Sequence, residues 1–317
     1  MFGGQESVLG NFAVKHFERG KMKNNSRYDM VFIGNYTKDT VVSFTGTRVV
    51  DGGGFNYGAH AAVLMGLKTA AVTRLSQQDR HVVEVLVRLG VEVFPEYTEH
   101  STHLRLYYPT SNVDERVLTV TQSAGSFRPD QVRDLQARAF LINASFRGEV
   151  GLEVIREIKK KPTLLTADAQ GFARVVSPDG TMRFDPWPEK QEVLGLIDIL
   201  KADAVEAEML TGESDIHAAA RTLAGWGPRE IVLTHRDGLL VLAEDQYYQA
   251  PFRPREMVGR SGRGDTCVAS YVARRLSATP KEACTWAAAL TSLKMEAEGP
   301  IKKQMADVEA LLQQAYL

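Results

Sequence analysis

The chain has 317 residues, enough for one large or two smaller domains, and its 44% hydrophobic and 24% charged residues are ordinary for a globular protein. Its 38 basic and 39 acidic side chains give a formal net charge of −1 without a long like-charged run, which argues against a nucleic-acid or membrane-surface protein. Two cysteines are too few for a disulfide framework, and no apolar run approaches the ~20 residues of a membrane span. We therefore expect a cytoplasmic protein with neither a membrane nor a nucleic-acid partner.

The N-terminal residues 1–27 mix glycine, serine, asparagine and lysine, and they lack the continuous apolar core of a signal peptide. We interpret them as a loose extension with one short helix around residues 12–19. The remaining residues, 28–317, are expected to form the main domain.

The first part of this domain alternates short apolar runs with segments of helical spacing, each bounded by turn-forming residues. The predicted elements are a buried strand at 28–35, exposed strands at 41–50, a helix at 56–67, a strand at 69–75, a helix at 81–90 and a strand at 91–94. Apolar residues all round the helix at 56–67 predict that it is buried.

A different pattern occupies residues 98–122, where the alternating stretches "THLRLYYP" and "ERVLTVTQ" flank the turn-forming "TSNVD" (110–114). This pattern predicts a β-hairpin. We expect the hairpin to join strands at about 40–50 in a small sheet that acts as a lid.

Strands and helices alternate again from Pro129 to Leu242, beginning with a helix at Pro129 and including one helix from "EAEMLTG" (206–212) onward. The strands predicted here are "AFLINA" (139–144), "TLLTADA" (163–169), "ILKADA" (199–204), "EIVLTH" (230–235) and "LLVLA" (239–243). This order predicts an α/β fold, with a mostly parallel central sheet flanked by helices on both faces. Such sheets bind ligands at the carboxyl ends of their strands.

The stretch "GRSGRGDTCVASYVARRL" (259–276) places three glycines and an acid in front of a helix with an apolar stripe. Gly262 and Gly264 leave backbone N–H groups uncovered at the helix N-terminus, where an anion can bind. The alternative is an ordinary glycine-rich loop with Asp265 as a helix cap. Neither a Walker motif nor a G-x-G-x-x-G motif is present here.

A second glycine cluster, "DGGGFNYGAHAAVLMG" (51–66), also precedes a predicted helix. Its first glycines would let a ligand approach the main chain closely. A plain hairpin turn is the alternative interpretation.

Together, in this order and about 200 residues apart, the two clusters resemble the two signatures of the ribokinase-like sugar kinases, the PfkB family. The second signature stands here as residues 259–265 with its G-x-G-D core intact, and the first as residues 52–59 with Tyr57 in place of an asparagine. The similarity extends over residues 28–315, and it implies the ribokinase-like fold with a small β-sheet lid.

The resemblance also implies roles for individual residues at these two clusters. The backbone N–H groups of Gly262, Arg263 and Gly264 match the anion hole, and Asp265 matches the base that deprotonates the acceptor hydroxyl. The residues that match acceptor-binding positions, with Asp39 at the end of the first strand, are Asn35, Asp39, Gly52, Gly53 and Asn56.

Nucleotide and metal contacts are implied further along the chain. The matching positions are Asp203 and Glu206 of the N-x-x-E region, Thr234 and Gly238 of the T-x-G-x-x-G loop, and Ser292 of the helix and loop that line the adenine site. Glu206 would support Mg²⁺ through water, since Mg²⁺ usually retains several waters. The spacing of Asp203 and Glu206 is also a capping-box pattern, which is a purely structural alternative.

Three departures from the family pattern leave questions open. We hypothesise that Arg263, where alanine is usual, reaches a phosphate oxygen, the alternative being a solvent-exposed arginine. Gly259 stands where an acid is common at the family's monovalent-cation site, so dependence on such an ion stays open. Arg236 replaces a usual glycine of the nucleotide loop.

The overall expectation is an ATP- and Mg²⁺-dependent kinase that phosphorylates a hydroxyl of a sugar or cyclitol. "TADAQGFAR" (166–174) is similar to the inositol-type branch and mildly favours a cyclitol. A nucleoside kinase is the nearest alternative, with Phe44, Tyr107 and Tyr108 as a base clamp. A ligand-binding regulator without turnover is the second alternative, and a homodimer through the lid is a further expectation.

Overall fold

The computed structural model describes residues 27–44, 46–110 and 116–316. The helix expected at 12–19, all but the last residue of the expected extension, and most of the turn at 110–114 lie outside the described residues. The division into an extension and a main domain stays a prediction. None of the described helices is long and apolar enough to span a bilayer.

The described residues form fifteen strands and ten helices. The strands are β1 (Arg27–Ile33), β2 (Thr37–Ser43), β3 (Gly46–Asp51), β4 (Thr69–Ser76), β5 (Glu92–Thr98), β6 (Thr102–Tyr107), β7 (Val117–Gln122), β8 (Gln136–Ile142), β9 (Leu164–Asp168), β10 (Arg174–Val176), β11 (Met182–Phe184), β12 (Ile199–Asp203), β13 (Glu230–Thr234), β14 (Gly238–Ala243) and β15 (Gln246–Pro251). The helices are α1 (Gly54–Leu64), α2 (His81–Arg88), α3 (Leu152–Lys159), α4 (Gln170–Ala173), α5 (Lys190–Leu194), α6 (Ala204–Thr211), α7 (Ile216–Ala224), α8 (Arg263–Arg275), α9 (Pro280–Met295) and α10 (Met305–Ala315).

The large sheet has the strand order β15-β14-β13-β12-β9-β8-β1-β4-β5. Its strands from β13 to β5 run parallel, and β14 and β15 complete one edge as an antiparallel hairpin. The expectation of a mostly parallel central sheet is confirmed.

Both faces of the sheet are covered by helices, which explains the continuous apolar runs of the central strands. Successive side chains of β1 point to opposite faces, so Met30 and Phe32 join one core while Val31 and Ile33 join the other. The first core includes residues of α1, α2, α8, α9 and α10, and the second includes residues of α3, α5 and α7.

A separate four-stranded sheet has the order β3-β2-β6-β7, with β2 and β6 parallel. It agrees closely with the small sheet expected from 40–50 and 98–122. A two-stranded ribbon, β10 and β11, touches its edge through a bridge between Thr119 and Thr181. The action of the four-stranded sheet as a lid and the expected homodimer through this sheet stay predictions.

Four local predictions differ from the structure. The helix expected at Pro129 is a three-residue 3₁₀ turn, because β8 starts only a few residues later. The single helix expected after residue 205 is divided into α6 and α7 at Gly212, which adopts a left-handed conformation with φ of 78°. The ribbon β10–β11 and strand β15 were not predicted, since their partly buried residues carry a weak periodic signal.

Candidate active site

The candidate active site lies where strands β8, β9, β12 and β13 end, because the carboxyl ends of parallel strands meet at one edge of a sheet. The N-terminus of α8 and its Asp265 lie at the same edge. A cavity of about 900 Å³ opens between this edge and the small sheet. This volume is typical of sites for small ligands.

The start of α8 depends on Gly262, whose φ of 74° is unfavourable for other residues. A Cβ atom at this position would also collide with the ring of Tyr57 from α1. The N–H of Arg263 donates to the carbonyl of Arg260 at 3.1 Å. Among the described residues, the N–H groups of Gly262, Gly264 and Asp265 have no acceptor. The uncovered amides therefore differ by one position from the prediction, since the amide of Asp265 replaces that of Arg263.

The carboxylate of Asp265 lies beside these amides, within the cavity. Its Oδ1 accepts a hydrogen bond of 3.3 Å from Nδ2 of Asn143, which follows β8. Gly54 permits this arrangement, since a Cβ there would lie 2.7 Å from Cβ of Asn143 and 3.0 Å from Cγ of Asp265. Burial raises the pKa of Asp265, while Lys201 and the bond from Asn143 act in the opposite direction.

The turn at residues 52–54 gathers polar side chains from three parts of the chain. A Cβ at Gly52 would collide with Oγ1 of Thr37 and with the carboxylate of Asp39, so both side chains lie directly against the turn. Gly53 has a φ of 92° and lies against the carbonyl of Asn35. The turn thereby brings together the polar side chains of Thr37, Asp39, Asn143 and Asp265 and the backbone carbonyl of Asn35.

Three oxygen atoms in this group are buried without a hydrogen-bond partner among the described residues: Oδ1 of Asn35, of Asp39 and of Asn143. The Nδ2 of Asn35 is held by the carbonyl of Gly125 and the carboxylate of Glu149, at 2.9 and 3.0 Å. Buried acceptors usually have donors, so these oxygens suit the hydroxyl groups of a ligand.

One of the predicted acceptor-binding residues, Asp39, has a different setting from the one expected, whereas Asn56 lies at the start of a helix as predicted. Asp39 is the third residue of β2 in the small sheet and does not lie at the end of β1. Burial raises the pKa of Asp39 to about 6, with a further contribution from Asp265. Asn56 is buried in the first turn of α1, where its N–H donates to the carbonyl of Gly53 at 3.0 Å.

A network of buried charges forms the floor of the cavity, and the sequence analysis did not assign a role to its lysine. Nζ of Lys201 lies 2.9 Å from Oδ2 of Asp168 and 3.9 Å from Oε2 of Glu206. A Cβ at Gly264 would approach Nζ of Lys201 to 2.7 Å, so this ammonium group lies directly against the glycine loop. The sequence did carry a signal for this residue, since Lys201 stands inside the predicted buried strand "ILKADA". A lysine is rarely fully buried unless it has a charged partner.

Asp203 and Glu206 adopt the capping-box arrangement at the start of α6. Oδ1 of Asp203 accepts from the N–H of Glu206 at 2.8 Å, and Oε2 of Glu206 accepts from the N–H of Asp203 at 2.9 Å. Oε1 of Glu206 accepts from Arg174 at 2.6 Å. Both carboxylate oxygens of Glu206 are therefore used within the protein, and Asp203 is the member of the pair that lines the cavity.

The predicted nucleotide contacts separate into two groups. Thr234 lines the cavity, whereas Gly238 and Ser292 do not. Gly238 lets β14 approach β15, since a Cβ there would lie 2.9 Å from Cα of Pro251. The hydroxyl of Ser292 accepts from the N–H of Arg253 at 2.8 Å and donates to the carbonyl of Ala288 at 2.6 Å. These contacts give both positions a structural role, and their expected nucleotide contacts stay predictions.

Cationic side chains dominate the charged lining of the cavity among the described residues. They outnumber the acids seven to four, and they are Arg48, Arg116, Arg174, Arg183, Lys201, Arg260 and Arg263. Arg263 does line the cavity, and its guanidinium lies 5.8 Å from the ring centroid of Phe252. No group of three or more His, Cys, Asp or Glu side chains with metal-binding geometry occurs in the described part of the chain.

A second lysine that the sequence analysis missed lies behind the glycine loop. Lys294, near the end of α9, is 1% exposed, and its Nζ donates to the carbonyls of Gly259 and Ser261. Burial lowers the pKa of Lys294 to about 8, although Glu298 and Asp265 act in the opposite direction.

Comparison with known proteins agrees with this architecture. The family of pfkB carbohydrate kinases matches residues 28–306. A cytidine kinase of Thermococcus kodakarensis is 28% identical over 266 residues, which cover 81% of this chain and 91% of that protein.

Solved structures extend the likeness to the whole fold. A pyrophosphate-dependent kinase of the ribokinase family, determined with a pyrophosphate analog and myo-inositol, is 31% identical, with a TM-score of 0.82 over 89% of this chain and 99% of that one. Ribokinase of Arabidopsis thaliana, determined with ribose and ATP, superposes with a TM-score of 0.72 over 91% and 99% at 19% identity, a likeness of fold. The expected ribokinase-like fold is confirmed. The chain therefore belongs to the pfkB family of carbohydrate kinases and is a phosphotransferase that acts on hydroxyl groups of the sugar or nucleoside class.

Proposed function

We propose that this kinase transfers a phosphoryl group from pyrophosphate to a hydroxyl of a cyclitol, with myo-inositol as the first candidate acceptor. The observation that carries the proposal is the position of Asp265, whose carboxylate lies beside uncovered amides on the wall of an arginine-rich cavity. The neighbour that binds a pyrophosphate analog and myo-inositol supports both halves of the proposal.

The acceptor half of the site is the polar group around residues 52–54. A cyclitol carries several hydroxyl donors, and the unpartnered oxygens of Asn35, Asp39 and Asn143 are matching acceptors. Gly52 lets the carboxylate of Asp39 lie directly against the turn, and Gly53 does the same for the carbonyl of Asn35. We assign Asn56 to the same binding group. Fixed acceptors of this kind hold one hydroxyl near Asp265 and so reduce the entropic cost of the reaction.

The chemical step is an in-line displacement at phosphorus. Asp265 accepts the proton of the acceptor hydroxyl, the hydroxyl oxygen forms a bond to one phosphorus of pyrophosphate, and the bridging P–O bond breaks to release orthophosphate. The uncovered amides of Gly262, Gly264 and Asp265 and the ammonium group of Lys201 stabilise the negative charge on the transferred group. Arg263 adds a contact to the donor.

The donor is the part of the proposal that differs from the expectation of ATP. Pyrophosphate brings high negative charge without a base, and the seven cationic side chains on the cavity wall suit such an anion. Ser292, expected near an adenine, and Gly238 of the expected nucleotide loop do not line the cavity. ATP is the alternative donor, supported by the fold shared with the ribokinase that binds it.

Magnesium belongs to the proposal as the ion that accompanies the donor. Glu206 does not line the cavity, and its two carboxylate oxygens accept from Arg174 and from the N–H of Asp203, so its expected support of Mg²⁺ through water stays a prediction. Asp203 and Asp168 fit better, since both line the cavity and Mg²⁺ binds carboxylates directly or through water. When bound, the ion would neutralise charge on the phosphate oxygens.

Closure of the small sheet is expected to exclude water from the reaction. This sheet contributes Val41, Ser43, Phe44 and Arg48 to the cavity wall. Arg48 also contacts Glu298 of the main body at 3.3 Å, an exposed ion pair that a moving lid can break at low cost. We therefore propose that the ion pair between Arg48 of β3 and Glu298 holds the small sheet in its closed position.

A nucleoside acceptor is the second candidate function. The cytidine kinase at 28% identity supports it, and Phe44 and Tyr108 line the cavity where a base could stack. Tyr107, the third aromatic residue of the expected clamp, does not line the cavity.

A donor and acceptor matrix tests the proposal. Purified protein is incubated with Mg²⁺ and either pyrophosphate or ATP, together with inositols, pentoses, hexoses or nucleosides, and phosphorylated products are detected by ³¹P NMR. The expected result is an inositol phosphate and orthophosphate from pyrophosphate. Transfer from ATP alone would overturn the proposed donor, and transfer only to a nucleoside would overturn the proposed acceptor.

Two variants test the assigned roles. Asp265→Asn should lower kcat by about 10² to 10⁴, the usual contribution of a positioned base. Arg263→Ala should raise KM for the donor, whereas the matched control Arg229→Ala, at an exposed position away from the cavity, should not. Unchanged kinetic constants in Arg263→Ala would remove the donor contact from the proposal.

A further inference from the structure

Lys294 holds its charge inside the protein without a carboxylate partner. Its side chain is 1% exposed, and no carboxylate of the described residues lies within 4.0 Å of Nζ. Instead, Nζ donates to the carbonyl of Gly259 at 2.9 Å and to the carbonyl of Ser261, and it lies 5.4 Å from the ring centroid of Tyr57. Burial of an ammonium group is costly, and the two carbonyls are the acceptors that offset this cost.

The two carbonyls belong to the loop that presents the uncovered amides. The carbonyl of Ser261 and the N–H of Gly262 are parts of one planar trans peptide, and they point in opposite directions. When the ammonium group of Lys294 holds the carbonyl of Ser261, the N–H of Gly262 must therefore point away from Nζ. Ser261 and Gly262 line the cavity whereas Lys294 does not, so an N–H directed away from Nζ is expected to face the side where an anion would bind.

The position behind the loop has the chemistry of a monovalent-cation site. Backbone carbonyls are the groups with which proteins bind K⁺. Here, however, residue 259 is a glycine, and a Cβ at this position would collide with the carbonyl of Ala297. A free cation would thus find no carboxylate at residue 259, and the ammonium group of Lys294 already occupies the two carbonyls.

We infer that Lys294 is a built-in monovalent cation, which orients the anion-binding loop and makes this kinase independent of K⁺. Lys294 is a positioning residue in this scheme, because it acts on the phosphoryl group through the peptide between Ser261 and Gly262. Tyr57 supports the same loop from α1, since its ring packs against Gly262 and faces the ammonium group.

Removal of the ammonium group should convert the protein into one that needs an external cation. Lys294→Ala leaves a space next to two carbonyls, which NH₄⁺ or K⁺ can enter. In choline buffer free of K⁺ and NH₄⁺, we expect kcat of Lys294→Ala to be at least 100-fold below wild type. Addition of NH₄Cl or KCl should raise kcat of Lys294→Ala at least tenfold, with saturation, whereas LiCl should not. The same salts should change kcat of the wild type by less than twofold.

The control is Lys281→Ala, on the exposed surface of the same helix, which should show neither the loss nor the cation dependence. A thermal melt without substrates gives a second readout, in which NH₄⁺ should raise Tm of Lys294→Ala and leave Tm of the wild type unchanged. The kcat measurements rest on the proposed function, whereas the Tm measurements do not. The melting experiment therefore tests the inference even if no phosphoryl transfer is detected.

Two outcomes would overturn the inference. One is a wild type that K⁺ stimulates many-fold in choline buffer, which can be measured even if Lys294→Ala does not fold. The other is a folded Lys294→Ala whose Tm does not respond to NH₄⁺ or K⁺. Lys294→Gln, which keeps the length and one donor group, provides a second variant for the same measurements if the alanine variant is unstable.

Discussion

A single methyl group at position 54 should displace the carboxylate on which the proposed chemistry depends. Gly54 is the first residue of α1, and the side chains of Asn143 and Asp265 pack directly against its Cα atom. In Gly54→Ala, the new Cβ would lie 2.7 Å from Cβ of Asn143 and 3.0 Å from Cγ of Asp265. Ordinary contacts are 3.4–4 Å, so both groups must move away.

The required movement gives the expected size of the effect. Oδ1 of Asp265 would meet the new Cβ even more closely than Cγ does, and Cγ by itself must retreat by about 0.4 to 1 Å to reach an ordinary contact distance. A misplacement of about 1 Å can cost about 100-fold in rate, so we expect kcat to fall by roughly 10- to 100-fold. This corresponds to about 1.4–2.7 kcal/mol of lost transition-state stabilisation. Overpacking should also lower the free energy of unfolding by about 1–3 kcal/mol.

The assay is transfer of labelled phosphate to the acceptor, run with saturating donor and acceptor and accompanied by a urea titration. Gly225→Ala is the matched control, because Gly225 ends α7 with a helical φ of −61° and lies outside the cavity lining. A folded Gly54→Ala enzyme with unchanged kcat would refute the reasoning. The double variant Gly54→Ala/Asp265→Asn gives a second test. If Gly54→Ala acts through Asp265, it should not lower kcat of Asp265→Asn any further, and an additional loss as large as in the wild type would also refute the reasoning.

Three further outcomes follow from other contacts. Because burial raises the pKa of Asp39 to about 6, acceptor affinity measured by calorimetry should weaken as pH falls below about 6, and Asp39→Asn should bind weakly without this pH dependence. Glu206→Gln should lower the free energy of unfolding by about 3 kcal/mol in urea, since it leaves the buried guanidinium of Arg174 without its paired charge; an unchanged midpoint would contradict this. Thr279→Ala, which removes the N-cap of α9, should cost about 1 kcal/mol in the same titration and leave kcat unaltered.

The alternation of apolar runs and turn residues was enough to predict most of the fold. Strands such as β1 and β8 are apolar at nearly every position because both faces of the sheet are covered, and that signal is local. Short or partly exposed elements, such as the ribbon β10–β11, carry little local signal and were missed. Glu206 shows a different limit of prediction from sequence, because the same three-residue spacing is compatible with a capping box and with a metal site. The structure shows the capping box, and it shows that the other carboxylate oxygen binds Arg174.

The sequence by itself therefore determined the family, the sheet architecture and the position of Asp265 at the start of a helix, because these depend on residues adjacent in the chain. Only the tertiary structure decided which groups surround that carboxylate. Asn143, Lys201 and Lys294 come from a strand end, a buried strand and a distant helix, and no local pattern relates them to residues 259–265. Their contacts arise when the strands align and α9 packs against α8, so the electrostatics of the loop is a property of the folded chain.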